Sequence, residues 1–326
     1  MQFILNTVDP IFRSDINESE GDMTQTVLVL GQSGRFGRHA TQAFSQAGWT
    51  VRGFDRKRDN LMQAAHGVDV IVNAWNPPYP QWADQVPKLH AQVRRAAKAV
   101  DATVIIPGNV YVFGPDVPHP WSEASPHRAS NALGRIRIQM EEAYAAEGVK
   151  TIILRAGDFL DTTASGNWFD AIMIKSLAKG RFVYPGDPEI PHAWAFLPDL
   201  ARAAVALAQR RASLPDFADI PFAGFTMSGR EMAERIDALT SQPVALSSMN
   251  WLPLQLAKPF WPMGRCLLEM RYLWNTPHSL DGRLFADLVP EFQVTPIDQA
   301  LAAALGQPTL VGQTDVHPNQ SMPAGA

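Results

Sequence analysis

"TVLVLGQSGRFGRHATQAF" runs from Thr26 to Phe44, and "FDRKRDN" follows from Phe54 to Asn60. Residues 26–31 are an apolar run of strand length, and the stretch from Arg35 to Ala47 reads as a helix stopped by Gly48. Between strand and helix, Gly31, Gly34 and Gly37 recur at spacing three. The first permits a tight turn, the second lets backbone approach a pyrophosphate, and the third lets the helix pack on the strand. Gln32, Ser33, Arg35 and Phe36 complete the loop, and the helix start offers free N–H groups and partial positive charge to an anion. Three glycines alone are weak evidence. A strand before them, a helix after them and a second strand, "WTVRGF", ending at Asp55 and Arg56 make the stretch a dinucleotide-binding turn rather than an ordinary glycine-rich connection.

Working outward, "VDVIVNA" (68–74), "ATVIIPG" (102–108) and "VKTIILR" (149–155) are further β-rich runs, separated by the helical stretches "QWADQVPKLHAQVRRAAKAV" and "ALGRIRIQMEEAYAAEG". This alternation predicts an α/β fold, a doubly wound Rossmann-type parallel sheet, over residues 23–160. Residues 161–312 read as a smaller, irregular substrate-binding region. It contains a helical "NWFDAIMIKSLAKG", an extended "RFVYPG", and a capping box from Ser228 to Glu231. Within it, a strand and helix at about 192–211 are expected to return to the main sheet. Residues 1–22 read as a flexible extension, with Met1 or Met23 as the start, and 313–326 as a flexible tail.

A chain of 326 residues with 46% hydrophobic and 18% charged residues is an ordinary globular protein. A net charge of -4 without a Lys/Arg-rich run argues against nucleic acid as a partner, and no apolar stretch is long enough to span a membrane. The lone Cys266 allows no internal disulfide, which fits the cytoplasm, and the eight scattered His show no metal-ligand spacing. A small-molecule substrate is the expected partner.

Taken in order, these segments resemble the extended and atypical short-chain dehydrogenase/reductases, the superfamily of NAD-dependent epimerases and dehydratases. "GVDVIVNAWNP", "VIIPGNVYVFGPD", "TIILRAGDF" and "RFVYPGDPEIPHAWAFLPDLARA" carry the resemblance with the glycine turn, over about residues 26–210. It implies that Asn73 and Ala74 flank the cofactor. It implies also that Asp55 serves the ribose hydroxyls of NAD(H), while Arg56 favours the 2′-phosphate of NADP(H). With Arg35, Lys57 and Arg58 nearby the balance leans to NADP(H) over NAD(H), a solvated charged turn being the plain alternative. Only twelve positions separate Asp55 from Gly67, so the family's third strand is lost or shortened, and Asp59 resembles the acid placed near adenine. Pairing of subunits into a homodimer through the helices beside the middle strands is a further implication.

Catalysis is where the resemblance thins. The family's Tyr-x-x-x-Lys pair falls on Leu133 and Arg137, or in the other register on Asn131 and Arg135, and neither offers a tyrosine. Asn109 stands where the family has a catalytic Ser or Thr and can donate a hydrogen bond without shuttling a proton. Arg137 is a candidate for the nicotinamide ribose, or a surface partner of Glu141. Tyr111, just past a strand end, is the candidate acid/base, with packing against the aromatic second half as its alternative. Tyr79 could line the same cleft, and Asp158 and His192 could face substrate. Two readings follow: an atypical NAD(P)-binding oxidoreductase or epimerase-like enzyme acting on a small carbonyl or sugar-like substrate, or a catalytically inactive, NmrA-like sensor.

Overall fold

The computed structural model describes residues 24–307; the 1–22 extension, the choice between Met1 and Met23, and the 313–326 tail lie outside the described residues. The first half alternates as the sequence predicts: β1 (Thr26–Leu30), α1 (Arg35–Gln46), β2 (Thr50–Phe54), the single turn α2 (Leu61–Ala64), β3 (Val70–Asn73), α3 (Trp82–Val100), β4 (Thr103–Gly108), α4 (Ala132–Ala146) and β5 (Thr151–Arg155). Then come β6 (Asp158–Leu160), β7 (Arg181–Tyr184), β8 (His192–Phe196), α5 (Leu197–Gln209), β9 (Phe217–Pro221) and β10 (Phe225–Met227). The last elements are α6 (Gly229–Leu239), β11 (Ala245–Ser248), α7 (Leu252–Ala257), α8 (Pro262–Glu269), α9 (Arg283–Leu288) and α10 (Ile297–Ala304).

Six parallel strands form the main sheet in the order β2-β1-β3-β4-β5-β9. Alternate residues of each strand face opposite layers. Leu28, Leu30, Ile71, Val104 and Ile106 pack with α3 and α4, whereas Val27, Val29, Val70, Val72 and Ile105 pack with α1 and α5. Both faces are covered, so the central strands read as unbroken apolar runs. The alanines of α5 (Ala201, Ala203, Ala204 and Ala208, all buried) let it lie close against α1. β2 is the edge of the sheet and the chain passes from it to β3 through α2 alone, so the strand expected to be lost is absent among the described residues.

One placement differs from expectation. β8 does not return to the main sheet; it pairs with β6 and β10 in a separate three-stranded sheet. The place beside β5 is filled by β9, and the chain leaves that edge at Gly157, where a Cβ would sit 2.1 Å from the Ala193 carbonyl oxygen. Only α5 goes back to the main body. "NWFDAIMIKSLAKG" forms one π-helical turn (Phe169–Met173) and one 3-10 turn (Leu177–Lys179) rather than a full helix. The capping box is present: Ser228 and Glu231 satisfy each other's backbone N–H at the start of α6.

Registers align the strand ends. Leu30 lies opposite Phe54 and Asn73, and Gly108 opposite Arg155. Gly31, Asp55, Ala74, Asn109 and Ala156 therefore all emerge at one edge, the carboxyl edge, where ligands bind in open parallel sheets.

Candidate active site at the carboxyl edge of the sheet

The three glycines are held to three different needs. Gly31 has φ +78°, the left-handed region, and packs beside the Ala74 carbonyl. Gly34 begins α1 with no side-chain cap, and an added Cβ would meet only the Gly31 carbonyl at 3.1 Å, so its outer side is open. At Gly37 a Cβ would lie 2.0 Å from the Gly31 oxygen. The first turn of α1 holds no acidic residue, and its N–H groups and positive dipole end are left for an anion. Gly37→Ala is expected to destabilise the fold by about 1–3 kcal/mol by forcing helix from strand, measured by urea denaturation; an unchanged midpoint would contradict that contact.

The remaining loop side chains divide. Phe36 is buried in the layer between α1 and the sheet, Gln32 lies over Gly53 of β2, and Ser33 is exposed. Arg35 does not reach toward Arg56. Its Nε and Nη2 donate to the carbonyls of Ser165 (2.8 Å) and Gly166 (2.6 Å), tying the loop after β6 to the glycine turn. Arg38 and His39 add an ion pair and a hydrogen bond to the buried Asp161 on that loop.

After β2 the charged run is a turn closed on itself. Asp55 accepts the Lys57 N–H and an Arg58 Nε contact, both at 2.9 Å, and Asp59 accepts the Asp55 N–H at 2.7 Å. Both carboxylates thus serve the turn, whereas Arg56 is exposed and makes no hydrogen bond or ion pair among the described residues. Ala74 presents backbone beside Gly31, but the Asn73 side chain is buried, donating to His90 Nδ1 (3.2 Å) and accepting the Trp75 N–H (3.3 Å). Burial and the Arg137 and Arg94 charges push His90 down to about 3, so its Nδ1 stays an acceptor.

Tyr111 stands on a short turn after β4 whose start is capped by Asn109, Oδ1 accepting the Tyr111 N–H at 3.1 Å. The Tyr111 hydroxyl meets the Tyr79 hydroxyl at 2.6 Å. Trp82 packs against both rings, and the buried Arg137 guanidinium lies 4.2 Å over the Trp82 ring and donates to Asn76 Oδ1 at 2.9 Å. Arg137 is therefore not a surface partner of Glu141, which pairs with Arg155 instead. Burial raises the pKa of both phenols, and the nearby Asp158 charge adds to it; the Arg137 charge opposes this and is outweighed. Leu133 is buried on α4, with its N–H donated to Glu269 at 2.7 Å.

The sequence places Tyr111, Asn109 and Arg137 near the carboxyl edge but pairs neither Tyr79 with Tyr111, whose hydroxyls meet at 2.6 Å, nor His192 with Asp158, which meet at 2.7 Å. Nothing in the spacing of those residues signals either pair, because the partners lie on separate elements.

No protein-family model matches the sequence, and no curated protein matches it. Solved structures do match in fold. MoeE5, in complex with UDP-glucose and NAD, is 16% identical with a TM-score of 0.67, over 86% of this chain and 97% of that one. UDP-glucuronic acid 4-epimerase from Bacillus cereus, in complex with NAD, is 13% identical with a TM-score of 0.66, over 86% and 97%. The GalE-like L-threonine dehydrogenase from Cupriavidus necator is 14% identical with a TM-score of 0.66, over 87% and 99%. At this identity the likeness is one of architecture: the chain has the fold of NAD-dependent epimerases and dehydratases across nearly the whole of their length.

Proposed function

We propose that this protein binds a nicotinamide dinucleotide at Gly31–Gly37 and is an oxidoreductase or epimerase-like enzyme that interconverts a carbinol and a carbonyl on a small or sugar-like substrate. The carrying observation is the uncapped start of α1, whose glycines leave no room for a side chain at Gly37 and an open face at Gly34. The backbone amides of residues 35–37 would hold the pyrophosphate, the Gly34 N–H being taken by the Gly31 carbonyl at 2.9 Å, while Ala74 and Asn109 would flank the nicotinamide end and Arg137 would supply positive charge there. The bound dinucleotide supplies a hydride acceptor or donor; the chain positions the substrate and moves its proton through Tyr111.

NADP(H) is the form favoured in this reading, because Asp55 and Asp59 are turned into their own turn while Arg56 stands free for a 2′-phosphate. Calorimetric titration with NADPH, NADH and their oxidised forms tests it. Arg56→Ala is expected to weaken NADPH by about tenfold or more and leave NADH within about twofold. Equal loss for both would remove the phosphate assignment, and no binding by any of the four would remove the reading.

Leu133, standing where the resemblance expects a tyrosine, favours the second reading, a sensor that binds nucleotide and does no chemistry. Absorbance of NADPH with a panel of aldehydes, ketones and enones separates the two.

A further inference from the structure

The hairpin of α7 and α8 turns apolar side chains outward. Leu252, Leu256, Phe260 and Trp261 are 55%, 70%, 90% and 44% exposed, and the other large apolar side chains exposed among the described residues, Met62 and Val294, stand on distant parts of the chain. No acid occurs between Asp237 and Glu269, whereas Lys258 and Arg265 are exposed and make no ion pair among the described residues. Glu269 itself turns inward, accepting from Asn131 Nδ2 at 3.0 Å and from the Leu133 N–H at 2.7 Å. Arg271, also exposed, lies 5.1 Å over the Trp251 ring just before α7. In a chain of net charge -4 this stretch is cationic and free of acids. Its backbone is closed as well. The Lys258 N–H donates to Gln255 at 3.4 Å, those of Phe260 and Trp261 donate to Ala257 at 3.0 and 2.9 Å, and Pro259 and Pro262 have none to donate. Every donor from 258 to 262 is thus used or absent, so the tip can leave water without stranding one. The Trp261 ring is seated on α8, where a Cβ at Gly264 would lie 2.6 Å from it. A turn that stays in water needs neither closed donors nor an outward Phe260.

We propose that the tip of the α7–α8 hairpin is a docking surface for an anionic lipid bilayer, with Leu256, Phe260 and Trp261 among the headgroups and Lys258 and Arg265 against their negative charge. No helix of the described residues is long and apolar enough to cross a membrane, so the protein lies on the bilayer by this surface. Aromatic rings flanked by cations are the side chains that settle at the boundary between headgroups and acyl chains. Charge selects this partner over the others. A second copy docked through the same face would set cations against cations with no acid between them, because a two-fold interface meets itself. An uncharged lipid surface would take the apolar tip and leave Lys258 and Arg265 without a counter-charge, whereas an anionic one uses both. The surface is carried on one wall of the candidate active site, since α8 rests on the turn Tyr79–Gln81 whose tyrosine meets Tyr111. Docking needs no bound nucleotide and stands independently of the oxidoreductase reading.

The test is co-sedimentation of the full chain with vesicles of phosphatidylcholine, alone or with about one-third phosphatidylserine. Wild type should bind the mixed vesicles about tenfold or more tighter than the neutral ones and lose that preference in about 0.5 M NaCl. Leu256→Ser with Phe260→Ser should weaken binding to the mixed vesicles about tenfold or more. Lys258→Gln with Arg265→Gln should do the same by about tenfold and leave binding to neutral vesicles unchanged. Met62→Ser with Val294→Ser, equally exposed but off the hairpin, should stay within about twofold of wild type. All these positions are exposed, and each variant is first checked for an unchanged thermal midpoint. A second readout uses brominated phosphatidylcholine, which quenches a tryptophan lying in the bilayer. Trp261 is the exposed tryptophan among the described residues, so Trp261→Phe should sediment as wild type does and lose most of the quenching. Failure of wild type to sediment with the mixed vesicles, unaltered binding in either hairpin double variant, or quenching that survives Trp261→Phe overturns the assignment. Dimerisation in analytical ultracentrifugation that Leu256→Ser with Phe260→Ser abolishes, without vesicle binding by wild type, gives the face to a second copy and overturns it too.

Discussion

Arg155→Met is expected to destabilise the protein by about 3–5 kcal/mol, the cost of stranding buried charges whose partner is removed. Arg155 closes β5 and is fully buried. Its Nε donates to both Asp219 oxygens at 3.0 and 3.1 Å, and its Nη2 pairs with Asp219 and with Glu141 at 2.8 Å. Burial by itself would lift Asp219, and the Arg155 charge with hydrogen bonds from Arg155 and His127 holds it below the usual carboxylate range, so the acid stays charged and needs its partner. Methionine fills the volume and satisfies neither acid. Glu141 on α4 and Asp219 on β9 would then face each other unpaired, with only His127, 3.9 and 3.7 Å away, to offset them. His127, Glu141 and Asp219 otherwise form a ligand set for a cation, and the guanidinium already supplies that positive charge. Replacing Glu141 and Asp219 by leucine together with Arg155→Met should recover much of the loss, because an apolar trio leaves no charge stranded. Urea denaturation of the three proteins measures both steps. A single variant within about 1 kcal/mol of wild type would show that the network does not hold these layers together.

The same guanidinium reaches the site. Arg155 Nη1 donates to the Asn109 carbonyl at 2.6 Å, and Asn109 caps the turn that carries Tyr111. A core ion cluster thereby fixes the start of the turn that carries Tyr111, while α4 presses on it from the other side: a Cβ on Gly134 would come within 2.5 Å of the Tyr111 carbonyl oxygen.

Much of this fold was readable in the sequence because its causes are local. The central strands are buried on both faces, so each appears as a short apolar run, and the helices announce themselves through Gly48, the Ser228–Glu231 box and the alanines of α5. The glycine turn was readable because backbone sterics, not distant partners, dictate Gly31 and Gly37. Where the reading failed, the cause was long-range. An apolar run such as "HAWAF" fits either sheet, and only the competition with β9 for the edge of β5 sends β8 elsewhere. Arg35 and Asn73 were given ligand roles that depend on their side chains being free, yet partners at Ser165, Gly166 and His90 claim them. Asp158 and His192 are 34 positions apart, on neighbouring strands of the small sheet, and no periodicity joins them.

Tyr111→Phe is expected to cut turnover by about 10²–10⁴-fold, the usual contribution of a positioned proton donor, and to leave nucleotide affinity intact. Phenylalanine keeps the ring against Trp82 and Tyr79 and removes one oxygen, so the fold should lose only about 1 kcal/mol with the Tyr79 hydrogen bond. The glycine turn is untouched, because Tyr111 hangs from β4 whereas the proposed pyrophosphate cradle hangs from β1. Direction matters as well. Burial, then the charges of Tyr79 and Asp158, hold Tyr111 well above the ordinary phenol range, and Arg137 does not bring it back. A phenol held that high is protonated throughout the neutral range and is suited to donating to a carbonyl oxygen. Carbonyl reduction by the wild type should therefore show no loss of rate attributable to Tyr111 as pH falls from 9 to 6, whereas a tyrosine ionised by a neighbouring lysine would impose one. Stopped-flow absorbance of NADPH, with calorimetric titration of the same two proteins, reads both quantities. Wild-type turnover in Tyr111→Phe would sink the acid/base assignment, and loss of nucleotide binding in that variant would mean that the Tyr79–Tyr111 pair is part of the cradle rather than of the chemistry.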